Sequence, residues 1–193
     1  IIFKKNLYPG HARNIGIDNS SNTLVAFLDT STYPNNKWLK SSINILKTNK
    51  SEGVWGNTFY CADKYFSKII RACTYGTKPI FTLPGCIFQK KVFHKCGLFV
   101  ESVRAGEDSD WIARLKLQNI SMSDPKEYIN YEGLENLSLK LLIKKWFRNY
   151  TFTAKLPFFR AHKDFYFYAA SFVVVLIAFN WNQVFASWDT NNT

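Results

Sequence analysis

The sequence predicts an α/β layered domain with a mostly parallel sheet, followed by a basic amphipathic helix and one membrane-spanning helix. Three observations predict it. Thr23 to Leu28 is a continuous apolar, partly β-branched run, as found in strands buried on both faces of a parallel sheet. Strand-like segments then alternate with segments whose apolar residues recur at helical spacing, the pattern of a layered α/β domain. No charged side chain occurs from Phe165 to Trp188, and crossing a bilayer takes roughly 20 mostly apolar residues.

Taken in order, residues 11–17 predict a short helix, in which Gly16 would allow close helix-to-sheet packing. Residues 18–22 (Asp-Asn-Ser-Ser-Asn) predict a loop. The first strand ends at Asp29-Thr30-Ser31, and Pro34 followed by Trp38, Leu39, Ile43 and Leu46 predicts a helix from about Pro34 to Leu46. Val54 to Cys61 reads as a strand. Tyr65, Phe66, Ile69, Ile70 and Cys73 fall on one face of a helix. Ile80 to Phe88 is extended, with a break at Pro84-Gly85. Lys90 to Cys96 is a short helix closed by Gly97. Asp110 to Gln118 is a further helix, and Tyr128 to Tyr131 a last strand.

The C-terminal third has a different composition. Leu139, Leu142, Ile143, Trp146 and Tyr150 make an apolar stripe, with Lys140, Lys144, Lys145 and Arg148 on the other side. Aromatic residues flank the uncharged run at both ends, and the basic cluster lies on one side of it only, as the positive-inside rule expects. A buried core helix or a re-entrant segment is the alternative. The expected divisions are residues 1–135, 136–164 (amphipathic), 165–188 (membrane) and a 189–193 tail. The localisation that follows is a membrane, with the folded domain facing the cytoplasm.

Net charge is +11, which calls for an anionic partner: nucleic acid, lipid headgroups or a nucleotide. No nucleic-acid-binding motif occurs, and the lysines gather beside the hydrophobic run instead, so no nucleic-acid partner is expected. Cys61, Cys73, Cys86 and Cys96 form no CxxC pair and are read as reduced.

The densest chemistry lies in Gly106-Glu107-Asp108-Ser109-Asp110, three carboxylates in four positions ahead of an apolar-periodic run. Such a cluster serves a cation, a helix N-terminus or a reaction. One carboxylate would satisfy a helix N-terminus; three exceed it. Asp29 closes a strand, where it can make an Asx-turn or help to cap the next helix.

Several segments occur in a specific order: Ala12-Arg13-Asn14-Ile15-Gly16-Ile17, Ala26-Phe27-Leu28-Asp29-Thr30-Ser31, Trp38-Leu39, Gly97-Leu98-Phe99, the acidic run, and Arg114-Leu115. Together they resemble the family 2 glycosyltransferases of the Rossmann-like GT-A fold, over roughly residues 10–118. The resemblance implies inverting transfer of a sugar from a nucleotide-diphosphate sugar to a glycan or lipid-linked acceptor, in cell-surface glycan or glycolipid synthesis. It implies Asp108 as catalytic base, with Glu107 and Asp110 as acidic neighbours that raise its pKa. Arg13, Asn14, Asp29 and Ser31 match the donor side. Gly85 and Cys86 match the acceptor side, where the alternative is a strand bulge. Trp146 and Arg148 line a lipid-linked acceptor site or belong to a helix lying on the membrane.

The family usually holds a divalent cation, Mg or Mn, through an Asp-x-Asp. Here Asp29-Thr30-Ser31 keeps only the first carboxylate, so Asp29 is the one metal ligand implied, and metal dependence is in question. The family's base-binding half precedes the Arg13 segment, and nothing here corresponds to it. The chain, which begins Ile1-Ile2, is therefore expected to be N-terminally incomplete and inactive as given. The competing readings are a non-catalytic relative bound to the membrane, favoured by Ser31, and a basic nucleic-acid-binding protein.

Overall fold

The computed structural model describes residues 5–135, 137–157 and 163–178. Its centre is a six-stranded mixed sheet flanked by helices. The elements run α1 (Pro9–Asp18), β1 (Leu24–Ala26), β2 (Thr32–Pro34), α2 (Trp38–Thr48), β3 (Gly53–Tyr60), α3 (Tyr65–Thr74), β4 (Ile80–Gln89), α4 (Lys91–Cys96), α5 (Glu107–Leu117), β5 (Met122–Ser123), β6 (Ile129–Tyr131), α6 (Leu139–Thr153) and α7 (Lys163–Ala178).

The sheet order is β1-β4-β3-β6-β2, with β5 beside β3. β3 is parallel to β5 and β6. The β1–β4, β3–β4 and β2–β6 pairs are antiparallel. The expected mostly parallel sheet is corrected accordingly, because the chain returns through β4 against both β1 and β3. β1 is not buried on both faces either: Val25 and Phe27 are buried while Ala26 and Leu28 are exposed, a one-sided alternation.

The helix expected from Pro34 starts at Trp38. Thr32 to Pro34 pair instead with β6 at the sheet edge, where a proline without an N–H is tolerated. Asn35 Oδ1 accepts the backbone amides of Lys37 and Trp38, both at 2.9 Å, and so caps α2.

Both faces of the sheet are covered. Phe27, Phe88, Phe93, Phe99 and Trp111 form an aromatic core on one face. Ile87, one residue from Phe88, points the other way into a cluster with Trp38, Ile45, Val54 and Ile129. This inversion at neighbouring residues is the period-2 rule of a strand. A third cluster, Ala62, Ile70, Leu134 and Leu142, seats α6 against α3. Close approach of α1 occurs at Gly10, where a Cβ would run into the Val100 carbonyl, and not at Gly16, around which there is open space.

The break expected at Pro84-Gly85 is a bulge within a continuous strand. The β3–β4 register shifts between Val54 and Gly56, and Gly85 has φ +86, a conformation that favours glycine. The bulge lets Gly85 N–H donate to Phe27 O at 2.7 Å and Phe27 N–H to Cys86 O at 3.0 Å. Pairing is thereby extended past β1, which delivers Asp29 to its place.

In α6 only Leu142 of the predicted apolar stripe is buried; Leu139, Ile143, Trp146 and Tyr150 are exposed. α7 covers only part of the expected membrane span, and residues 179–193, including the rest of it and the tail, lie outside the described residues. No helix among the described residues is long and apolar enough to cross a membrane. All four cysteines are free.

Candidate active site

The strand ends, the start of α5 and one face of α6 enclose a cleft of ≈ 770 Å³. Asp29 and Ser31 reach it from the turn after β1, Tyr60 and Tyr131 from the carboxyl ends of the parallel pair β3 and β6, and Glu107 and Asp108 from the first turn of α5. Arg13 enters from α1, and Lys145, Arg148 and Asn149 from α6. A cleft at the carboxyl ends of parallel strands is where α/β sheets place their ligands.

The acids begin α5 rather than precede it, because the helix starts at Glu107 and not at Asp110. Gly106, at φ +88, turns the chain into the helix. A Cβ there would also come within 2.9 Å of Leu156 and Thr153 side-chain atoms. Glu107, Asp108 and Asp110 all lie in the first turn, where negative charge complements the helix dipole.

Arg13 ties the two acidic segments together. One guanidinium nitrogen donates to Glu107 Oε1, and the other stands 3.4 Å from Asp29 Oδ1. The guanidinium also lies 5.6 Å from the centre of the Phe99 ring. Glu107 is only 4% exposed, and its Oε2 is buried without a hydrogen-bond partner. Burial first, and then the charge of Asp108, raise its pKa against the opposing pull of Arg13. Asp108 is half-buried on the cleft wall, and its Oδ1 accepts from the Ser109 amide at 2.8 Å.

Asp29 makes neither the Asx-turn nor the helix cap. Its turn is closed by Thr32, whose hydroxyl donates to Asp29 O at 2.6 Å and accepts from Asp29 N–H at 2.9 Å. The Asp29 carboxylate is left facing Arg13. Arg104, Lys145 and Arg148 add positive charge to the cleft. Burial, then the neighbouring Arg148, lower the pKa of Lys145.

The residues fit a divalent cation poorly. A hard cation takes about six oxygen ligands. Asp29 is the one carboxylate in its turn, Arg13 stands beside it, and Ser31 offers a neutral hydroxyl. No group of three His, Cys, Asp or Glu among the described residues is arranged to hold a metal ion.

A family model described as Glycosyl transferase family 2 matches residues 1–100, more than half of the chain. The chain belongs to glycosyl transferase family 2. No curated protein matches it. Among solved structures it is similar to S. aureus TarS 1-349 in complex with UDP-GlcNAc, at 17% identity and TM-score 0.52, over 70% of this chain and 42% of that one. For TarS 1-349 in complex with UDP the figures are 18%, TM-score 0.48, 81% and 48%. The chain thus spans less than half the length of either structure. At this identity the first likeness speaks for the shared fold alone.

Five residues that the family resemblance pointed to lie outside the cleft lining. Asn14 is buried, and its amide pairs with the Phe99 backbone, donating to Phe99 O and accepting from Phe99 N–H, both at 2.9 Å. Asp110 turns away from Asp108 to pair with Arg114 Nε at 3.0 Å. Arg114 in turn donates to the carbonyls of Cys96 and Leu98, which anchors α5 to the segment after α4. Gly85 and Cys86 are interior. The Cys86 thiol accepts from Gly56 N–H at 3.0 Å, and burial pushes its pKa up to about 12. Trp146 lies on the exposed side of α6 and does not line the cleft, whereas Arg148 does.

Sequence reasoning missed Tyr60, Tyr75, Tyr131, Arg104 and Asn149 as cleft residues. Tyr60 and Tyr131 had a readable signal, since each stands at the end of a predicted strand, where α/β sites form.

Proposed function

We propose that this chain carries the catalytic centre of an inverting glycosyltransferase, moving a sugar from a nucleotide-diphosphate sugar to an acceptor hydroxyl in glycan or glycolipid synthesis. The observation that carries the reading is the meeting, in one cleft, of Asp29, Asp108 and the cations Arg104, Lys145 and Arg148. A fold neighbour crystallised with UDP-GlcNAc supports the donor class.

Asp108 takes the proton of the acceptor hydroxyl. The freed oxygen bonds to the anomeric carbon from the face opposite the diphosphate, and the carbon–oxygen bond to the diphosphate breaks. Only one carboxylate need be basic, and Asp108 is the acid of the run that reaches the cleft without an ion-pair partner among the described residues. Glu107 acts through Arg13, holding it beside Asp29. The cations from α6 and Arg104 meet the charge that develops on the departing diphosphate. In the whole protein, Asp108→Asn is expected to lower turnover by ~10²–10⁴ and to leave donor affinity nearly unchanged. Turnover near wild type would remove Asp108 from the base role. It would also favour the second reading, a non-catalytic relative, which draws on Ser31 in place of the second acid.

The lipid bilayer belongs to the same proposal. α6 exposes Leu139, Ile143, Trp146, Phe147 and Tyr150, next to Lys140 and Lys144, and α7 exposes Phe172, Val174 and Ile177. Such basic, aromatic and aliphatic faces suit a membrane surface and its interior. In this reading residues 165–188 span the bilayer and the cleft faces the cytoplasm.

A further inference from the structure

Tyr60, Tyr75 and Tyr131 come from the end of β3, the residue after α3 and the end of β6, and they meet on one wall of the cleft. Tyr60 and Tyr75 stack with ring centres 3.8 Å apart and planes 9° apart. Tyr131 leans on Tyr60 at 4.9 Å and 49°. The rings are half-buried against the cluster of Ala62, Ile70, Leu134 and Leu142. Packing alone would account for the rings.

It does not account for the hydroxyls. A buried tyrosine usually finds a hydrogen-bond partner for its O–H. None of these three is bonded to a described residue. Nor are they among the buried atoms left without a partner, which belong to Ser51, Arg71 and Glu107. The three phenol oxygens thus have no partner among the described residues, and their rings line the cleft. They also sit near the reacting acids: after burial and the neighbouring phenols, the charges of Asp29 and Asp108 raise the pKa of Tyr60, and Asp29 does the same to Tyr131.

We propose that Tyr60, Tyr75 and Tyr131 form the acceptor subsite, and that their converging hydroxyls take a saccharide. A phenol hydroxyl both donates and accepts, which matches the hydroxyls of a sugar one for one. Each competing ligand fits less well. A nucleobase stacks on an open ring face, and Tyr60 and Tyr75 each spend one face on the other. A diphosphate seeks cations, which come from Arg104, Lys145 and Arg148 in the same cleft. An alkyl chain would leave three polar tips without partners. The inference rests on the transferase reading above and narrows its acceptor to a glycan, presented with one hydroxyl toward Asp108.

Tyrosine-to-phenylalanine variants keep the rings and remove only the hydroxyls. The full chain, its Tyr75→Phe variant and the Tyr60→Phe/Tyr75→Phe/Tyr131→Phe triple variant would be compared by saturation-transfer NMR. The probes are the methyl glycosides of glucose, galactose and N-acetylglucosamine, with UDP titrated separately. Thermal melts check that each variant folds. At least one glycoside should bind the wild type. Each lost hydrogen bond should weaken it by roughly 2- to 10-fold, and the triple variant by 10-fold or more, with UDP affinity unchanged. Equal glycoside binding by wild type and triple variant, no glycoside contact with the wild type, or a loss that falls on UDP instead would each overturn the assignment. If UDP binds none of the proteins while the glycoside effect stands, the donor reading fails and the saccharide subsite does not.

Discussion

Replacing Arg13 with methionine probes how the cleft keeps its most buried acid. Methionine retains much of the side-chain volume and removes the charge. Glu107 is 4% exposed, and Arg13 is the partner of its Oε1. In the variant the carboxylate is left buried without a counter-charge, and it escapes by taking up a proton. Holding a carboxyl with an ordinary value of 4.5 neutral at pH 7 costs about 3 kcal/mol. That release caps a loss which, for a broken buried ion pair, otherwise runs to about 3–5 kcal/mol. At pH 5 the same proton costs less than about 1 kcal/mol. The folded-state value of Glu107 is raised, so its contribution to stability is complete below pH 4.5 and is lost as pH rises through the folded value. Removing Arg13 raises that value further and widens the window of loss. Urea denaturation should therefore show a gap between wild type and Arg13→Met of about 3 kcal/mol at pH 7 that shrinks to under about 1 kcal/mol at pH 5. Adding Glu107→Gln should recover most of the gap at pH 7. A gap of equal size at both pH values, or no recovery in the double variant, would refute this account of the pair.

Gly106→Ala forces a Cβ into the φ +88 turn and against Leu156 and Thr153; it should cost about 1–3 kcal/mol from the backbone alone, measured by thermal melting, and a variant as stable as wild type would contradict the geometry. With iodoacetamide at pH 8 the exposed Cys73 should label first, and Cys86, buried with its pKa pushed up to about 12, only on unfolding; early modification of Cys86 in peptide mapping would speak against the β4 interior. If residues 165–188 span a bilayer, the chain resists carbonate extraction from membranes; release into the carbonate wash would count against the span.

Much of the fold was legible because periodicity records burial. α1, α3, α4, β3 and β6 fall close to their predicted places. β2 and β5, of three and two residues, are too short to show a period, and they exist through the partners they pair with. The sense of pairing was not legible at all. An apolar run reads the same whether its neighbour is parallel or antiparallel, and the bulge at Gly85 decides locally how far β4 extends.

For the site, the residue types were legible and their directions were not. A helix turns about 100° per residue. In α1 this sends Arg13 to the cleft and Asn14 to the Phe99 backbone. In α5, Glu107 and Asp110 lie on nearby faces and are buried, while Asp108, roughly 100° from Glu107, is left on the cleft wall. In α6, Lys145, Arg148 and Asn149 fall at i, i+3 and i+4 on the cleft, and the adjacent Trp146 and Phe147 are turned out. A motif written along the sequence compresses these directions into one line. Helical phase, fixed only when Gly106 sets the start of α5 and Leu142 seats α6, separates the groups that line the cleft from those that hold them in place.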